Sequence, residues 1–384
     1  MDWGKVLEAF DAVCLEASFV LVEAAAGDAS SAAGLGDVSE GLGELEDAEA
    51  VLDEFLFCGG HGVSPFVRGG AVGTPLRLRL RSVPTAIIPP FPCHGRRLTV
   101  HVSLSLMTRV SESLAGRLSL VEPTPFLLSE LKTKASRRRH WLCGGYPEGG
   151  VLEPKRYPWW QIDYLSLLAQ RDLPIWGLPA KPQVTDRLLR MLAALHGQVW
   201  NAAQVGQSLG LSYHTVNNYL DYLIGAFLLR QLPAYQANIR KRLVKRPKLY
   251  WRDSGLVHAL LNVPDERALL VQPWVGASWE GYVIEQALGE LSSQGRSFSA
   301  YYFRTSDRHE LHLVLDMGSQ LWAVNIRLTS WPSTEDITRL NKAADIIKAS
   351  RRFLVSQTKK PAGNERCLSC DLPTFLEHLR AAGS

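Results

Sequence analysis

One stretch constrains the chain more than any other: Val184 to Val257 carries the pattern of three short helices followed by a basic hairpin. Leu188, Leu189, Leu192 and Leu195 recur at helical spacing over Thr185 to His196 and predict one buried helical face. Asn201 precedes the apolar start of a second helix, Ala202 to Leu209, and Gly210-Leu211 supplies a turn. Ser212 then caps a third helix, Tyr213 to Ile224, whose Val216, Leu220 and Leu223 form its buried stripe. Phe227–Leu232 and Lys248–Trp251 read as two strands of a wing. Between them runs Arg240 to Lys248, with six positive charges in nine residues. A compact helix-turn-helix with such a wing suits a polyanion, and duplex DNA is the expected partner.

The proposed contacts divide by chemistry. His214, Thr215, Asn217 and Asn218 fall on the outward side of the third helix, where short polar side chains can reach base edges. Arg240, Lys241, Arg242, Lys245, Arg246 and Lys248 are expected to hold phosphates, which supplies affinity without sequence choice. Residues 184–257 hold ten basic and three acidic groups, a net charge of +7.

Charge is uneven elsewhere too. Residues 1–60 hold 14 acidic groups against Lys5 alone, while the remainder holds 24 against 41 basic ones. No lysine occurs between Lys5 and Lys132, so a phosphate-binding loop of the form G-x-x-x-x-G-K-[ST] has no place in the front of the chain. Residues 1–96 are divergent, rich in Gly, Pro, Ala and Arg, and are expected to be poorly ordered. The six cysteines are scattered, unlike a secreted disulfide framework. No apolar run is long enough to span a bilayer, and Asp2, Glu8 and Asp11 stand where a signal peptide would be positive. A cytoplasmic location without membrane contact is expected. Cys367-Leu368-Ser369-Cys370 has zinc-like spacing but no second pair, and reads as two surface thiols. Arg137-Arg138-Arg139 reads as a solvated loop, and Pro125 to Leu131 as a helix start.

Several motifs together resemble one family. They are Val110 to Arg117, Gly144-Gly145-Tyr146-Pro147-Glu148, Leu209 to Val216, Asn238 to Lys248, Tyr250 to Leu256 and Trp279-Glu280. The chain resembles, over about residues 97–380, the prokaryotic AAA+ family ATPases with a C-terminal domain of unknown function. The resemblance implies an α/β multidomain fold. Its expected parts are a divergent segment (1–96), a remnant of the C-terminal part of an AAA+ domain (97–183), a winged helix (184–257) and a PD-(D/E)XK nuclease-like domain (258–384). It implies ATP and Mg²⁺ as family cofactors, and makes Arg117 a candidate nucleotide sensor.

Both implied chemistries are interrupted. The phosphate loop is missing. The nuclease pattern places Glu310 and His312 on one strand, Asn325 and Arg327 on the next, and Glu280 on the preceding helix. His312 stands where the resemblance calls for Asp, and Asn325-Ile326-Arg327 where it calls for E-x-K. Histidine is a poor Mg²⁺ ligand, Asn is neutral, and Arg cannot act as a base.

The expectation is a degenerate family member without ATP hydrolysis or cleavage, and without a confident cofactor, that keeps its DNA grip. Two alternatives stand beside it. One is an interaction scaffold partnering an intact ATPase paralogue. The other is an ATP-binding protein whose front end is read in a displaced frame, because residues 1–96 combine Arg, Gly and Pro runs with almost no lysine.

Overall fold

The computed structural model describes residues 98–100, 118–120, 124–236, 243–307 and 309–382. Residues 1–96, Val110 to Arg117 and Arg240–Arg242 lie outside that set, and with them the expectations placed there. Two units are present, 1–123 and 124–384. In the first, β1 (Leu98–Val100) and β2 (Leu118–Leu120) pair in parallel, Leu98 opposite Leu118.

The second unit is a mixed helix and sheet structure, as an α/β multidomain chain should be. Its helical part opens with an extended segment carrying a single turn, Leu128–Glu130, in place of the expected helix start. Arg137 to Arg139 then fall inside α1 (Lys134–Cys143), not in a loop. The Thr133 side chain begins that helix by accepting from Ser136 N–H. Next come α2 (Trp159–Leu167), α3 (Pro182–Ala194), α4 (Ala202–Leu209) and α5 (Tyr213–Gly225). Gly210, at φ +68°, makes the left-handed turn between α4 and α5. Strands β3 (Leu229–Leu232) and β4 (Lys248–Trp251) close the wing antiparallel, Arg230 opposite Tyr250. One apolar cluster joins Leu188, Leu192, Val216, Leu220, Leu223 and Trp251. Leu165, Leu168 and Leu173 belong to the same cluster, so this helical core starts well before residue 184.

After α6 (Ser254–Leu260) and α7 (Glu266–Leu270), the long α8 (Val275–Ser293) begins the α/β part. Strands β5 (Ser299–Arg304), β6 (Glu310–Asp316) and β7 (Leu321–Ile326) form an antiparallel meander. Helix α9 (Thr334–Ile346) crosses to β8 (Arg351–Ser356), parallel to β7. The short β9 (Ala362–Gly363) edges the sheet, and β10 (Cys367–Asp371) runs parallel to β8 before α10 (Leu372–Ala381). The sheet order is β5-β6-β7-β8-β10-β9.

Side chains alternate across this sheet. Leu313, Leu315, Trp322, Val324 and Phe353 pack on α8 and α10. Val314, Ala323 and Leu354 pack on α9. Cys367 and Cys370 are separated by this alternation: Cys370 is buried on the α8 side, while Cys367 packs on the α9 side. The expectation of paired surface thiols therefore fails, because the segment is a strand and not a loop.

Candidate functional site

Two families of motif residues prove to be one contact. The Asp253 carboxylate begins α6 by accepting from Leu256 N–H at 3.0 Å, and also accepts from Gly145 N–H at 2.7 Å. A Cβ on Gly144 would overlap that carboxylate, and one on Gly255 would overlap the Cys143 carbonyl oxygen. The Gly-Gly and Asp-Ser-Gly pairs are thus what close backbone approach requires. Burial pushes the Asp253 carboxyl up to about 6, against the backbone donors that favour its charge.

The α4–α5 pair presents the expected outward face. Ser212 accepts from Thr215 N–H at 3.1 Å, which fixes the start of α5. Tyr213, His214 and Asn218 are exposed, and the Tyr213 and His214 rings lie 3.8 Å apart. Thr215 and Asn217 are half-buried, and Asn217 Oδ1 accepts from Trp200 Nε1 at 2.9 Å. That leaves the amide nitrogen of Asn217 for an outside partner. Lys245 and Arg246 are exposed at the start of the returning wing strand.

Lys248 is different, and its expected role as a phosphate contact is overturned. Its ammonium is buried, 3.0 Å from Glu280 Oε1 and 2.9 Å from Glu310 Oε1. Strand alternation turns it from the wing surface towards α8 and β6. Tyr250, two residues on and facing the same way, donates its hydroxyl to Glu280 Oε1 at 2.5 Å. His312 Nε2 lies 3.7 Å from Glu280 Oε2, while its Nδ1 accepts from Ile326 N–H at 2.9 Å. The latter bond leaves the imidazole proton on Nε2, directed at the carboxylate.

Charge in this cluster is partly offset locally, two carboxylates facing one ammonium. Burial opposes the Glu280 charge, but His312 and Lys248, with hydrogen bonds from Tyr250 and Lys248, hold its carboxyl down to about 2. Glu310 is also held low against burial, chiefly by Lys248. Burial would lower the Lys248 ammonium, yet the two carboxylates raise it. His312 is lowered by burial despite Glu280, so at neutral pH it is an uncharged donor.

The five expected nuclease-like residues do not converge. Glu280, Glu310 and His312 share the α8 side of the sheet with Lys248. Asn325 shares the α9 side with Ala323, is buried, and leaves its Oδ1 without a hydrogen-bond partner. Arg327 pairs with Asp336 near the start of α9, at 3.4 Å. The cause is a bulge: the β5–β6 register slips between Tyr301/Val314 and Phe303/Leu311, inserting one extra residue in β6. In an unbroken ladder His312 would stand beside Asn325.

A Mg²⁺ ion of the implied kind does not fit these residues. The point that Glu280 and Glu310 share is filled by the Lys248 ammonium, and the next acidic position is a neutral amide on the far face. Among the described residues no three His, Cys, Asp or Glu side chains come close enough to hold a metal. No described helix is long and apolar enough to cross a membrane. Tyr250 was not singled out as a site residue, and Lys248 was expected on phosphate and not on Glu280; alternation along Lys248–Trp251 is the signal that turns both towards that carboxylate.

Comparison with known proteins gives two matched stretches. Residues 134–267 match a family model described as a domain of unknown function (DUF8612), and residues 275–374 match another (DUF4143). The first match ends within α7, and the second begins with α8. An uncharacterized protein of Mycobacterium bovis and one of Mycobacterium tuberculosis are each 35% identical over 264 residues. The match takes in 67% of this chain and 59% of each relative, so the chain spans less than two thirds of their length. No solved structure matches.

Proposed function

We propose that the chain binds duplex DNA through α4, α5 and the wing, without cutting DNA or hydrolysing ATP itself, as a degenerate relative of AAA+ family ATPases with a nuclease-like tail. The observation that carries this reading is the capped α5 with Tyr213, His214 and Asn218 exposed, next to a wing whose Lys245 and Arg246 are also exposed. Base edges would be read from α5, and the wing would hold the backbone. The disarmed nuclease-like site supports the non-cleaving part, since the Lys248 ammonium bridges both of its carboxylates at the point a metal ion would take.

Fluorescence anisotropy on a labelled duplex tests the reading. Binding should weaken steeply as salt rises. Lys245→Ala with Arg246→Ala should flatten the log–log salt slope by about 2. Asn218→Ala should leave the slope unchanged while weakening discrimination between duplexes by roughly tenfold. Salt-independent binding, or variants equal to the parent, would end the assignment.

A second reading, a scaffold for an intact ATPase paralogue, is favoured by one feature. Trp159, Ile162 and Leu167 are exposed on α2, and Ile175 and Trp176 are exposed beyond it. Trp159→Ser should weaken co-purification with such a partner and leave DNA binding intact.

A further inference from the structure

Lys248, Glu280, Glu310 and His312 come from three elements that have no sequence proximity: β4 of the wing, α8, and β6 of the large sheet. We propose that the Lys248 ammonium is the resident cation of the acidic site, supplied by the wing, and that it converts the site into a metal-independent clamp between the wing and the α/β part. This rests on reading that site as a disarmed one; it does not depend on DNA binding.

Four observations support it. The ammonium sits about equally far from Glu280 Oε1 and Glu310 Oε1, at 3.0 and 2.9 Å. Its side chain is only 6% exposed, so the two carboxylates stand in for most of the water an ammonium would otherwise hold. Tyr250 supplies a further donor to Glu280 from the same strand. Lys248 Nζ also lies 5.5 Å from the centre of the Tyr302 ring on β5, a wall of low polarity that strengthens the pairing. Nearby charged or titratable groups coupled to these side chains are His196, which feels Glu280, Arg327, which acts on His312, and Arg246 and Arg304, which act on Tyr302. None of these supplies a cation at the bridging position.

The clamp predicts a specific failure. Without the ammonium, two half-buried carboxylates share the site with only the neutral His312 imidazole beside them, and proton uptake by the group is then favoured. A raised carboxyl costs stability above its ordinary range, and that cost disappears as pH falls.

The experiment is thermal unfolding of the full chain from pH 8 to pH 5, with EDTA, Mg²⁺ or Mn²⁺. The wild type should melt at the same temperature in all three. Lys248→Met should melt roughly 10 °C lower at pH 8. That deficit against the wild type should shrink by at least half at pH 5. The double variant Lys248→Met/Glu280→Gln should recover much of the loss at pH 8, because it removes one stranded charge. Saturable stabilisation of the wild type by either metal would overturn the proposal, and so would a Lys248→Met deficit that ignores pH and Glu280→Gln. Should Lys248→Met fail to fold, the wild-type metal titration and recovery of folding in the double variant decide the matter: a double variant that also fails to fold counts against it. DNA affinity is measured in parallel, so loss of the clamp and loss of the wing's grip remain distinguishable.

Discussion

His140, His196 and His258 are buried, and burial lowers each to about 4. They act as neutral links. His140 bridges Tyr282 and the Phe126 carbonyl, His258 bridges Ser278 and the Leu142 carbonyl, and His196 accepts from Trp251 N–H. An unfolded chain takes up these protons near pH 6.5, so the stability they give is present above that value and is lost as pH falls towards 4. Each amounts to about 3 kcal/mol across the window. Asp253, raised to about 6, works the other way over much of the same range. Three groups outweigh one, so urea midpoints should fall between pH 7 and pH 5; a flat or rising profile would contradict this assignment. The glycines give a second residue-scale test. Gly255→Ala should cost at least about 2 kcal/mol, because the Cys143 carbonyl leaves a Cβ no room.

Helix α5 shows what is legible at the scale of an element. Ser212 before an apolar stripe predicted its start, and the side chain caps as expected, so Ser212→Ala should cost about 1 kcal/mol in denaturant titration. Asn201 precedes α4 as predicted, but its side chain makes no capping bond, so its replacement by Ala should cost much less. Residue type and periodicity carried both boundaries, because helix stripes and caps are local. Strand β10 was missed for the opposite reason. Cys367 to Asp371 is short, and its identity depends on parallel pairing with β8, which is not written in its own residues. The bulge in β6 was hidden for the same cause: a one-residue slip moves a side chain to the other face, and no single residue announces it. That slip separates Asn325 from His312. Lys248 was misassigned because a lysine beside five other cations reads as surface charge, while strand alternation turns it inward.

At the scale of the whole molecule, the wing is shared between two neighbours. Leu229, Leu249 and Trp251 pack with the helices, while Leu232, Ala234 and Tyr250 pack into the core beneath α8. The wing therefore belongs to both cores, and the order α4, α5, β3, β4 could be read locally while that sharing could not. In the proposed reading the acidic site is held by the Lys248 ammonium of this wing, and the outer wing residues and α5 are the surface offered to a polyanion. If the chain grips duplex DNA without cutting it, one gel reads both halves. Supercoiled plasmid is incubated with the protein and Mg²⁺, and each reaction is run before and after protein removal. The plasmid should be retarded, and should return fully supercoiled once the protein is stripped. Plasmid that is never retarded, or that emerges nicked or linear, would contradict it.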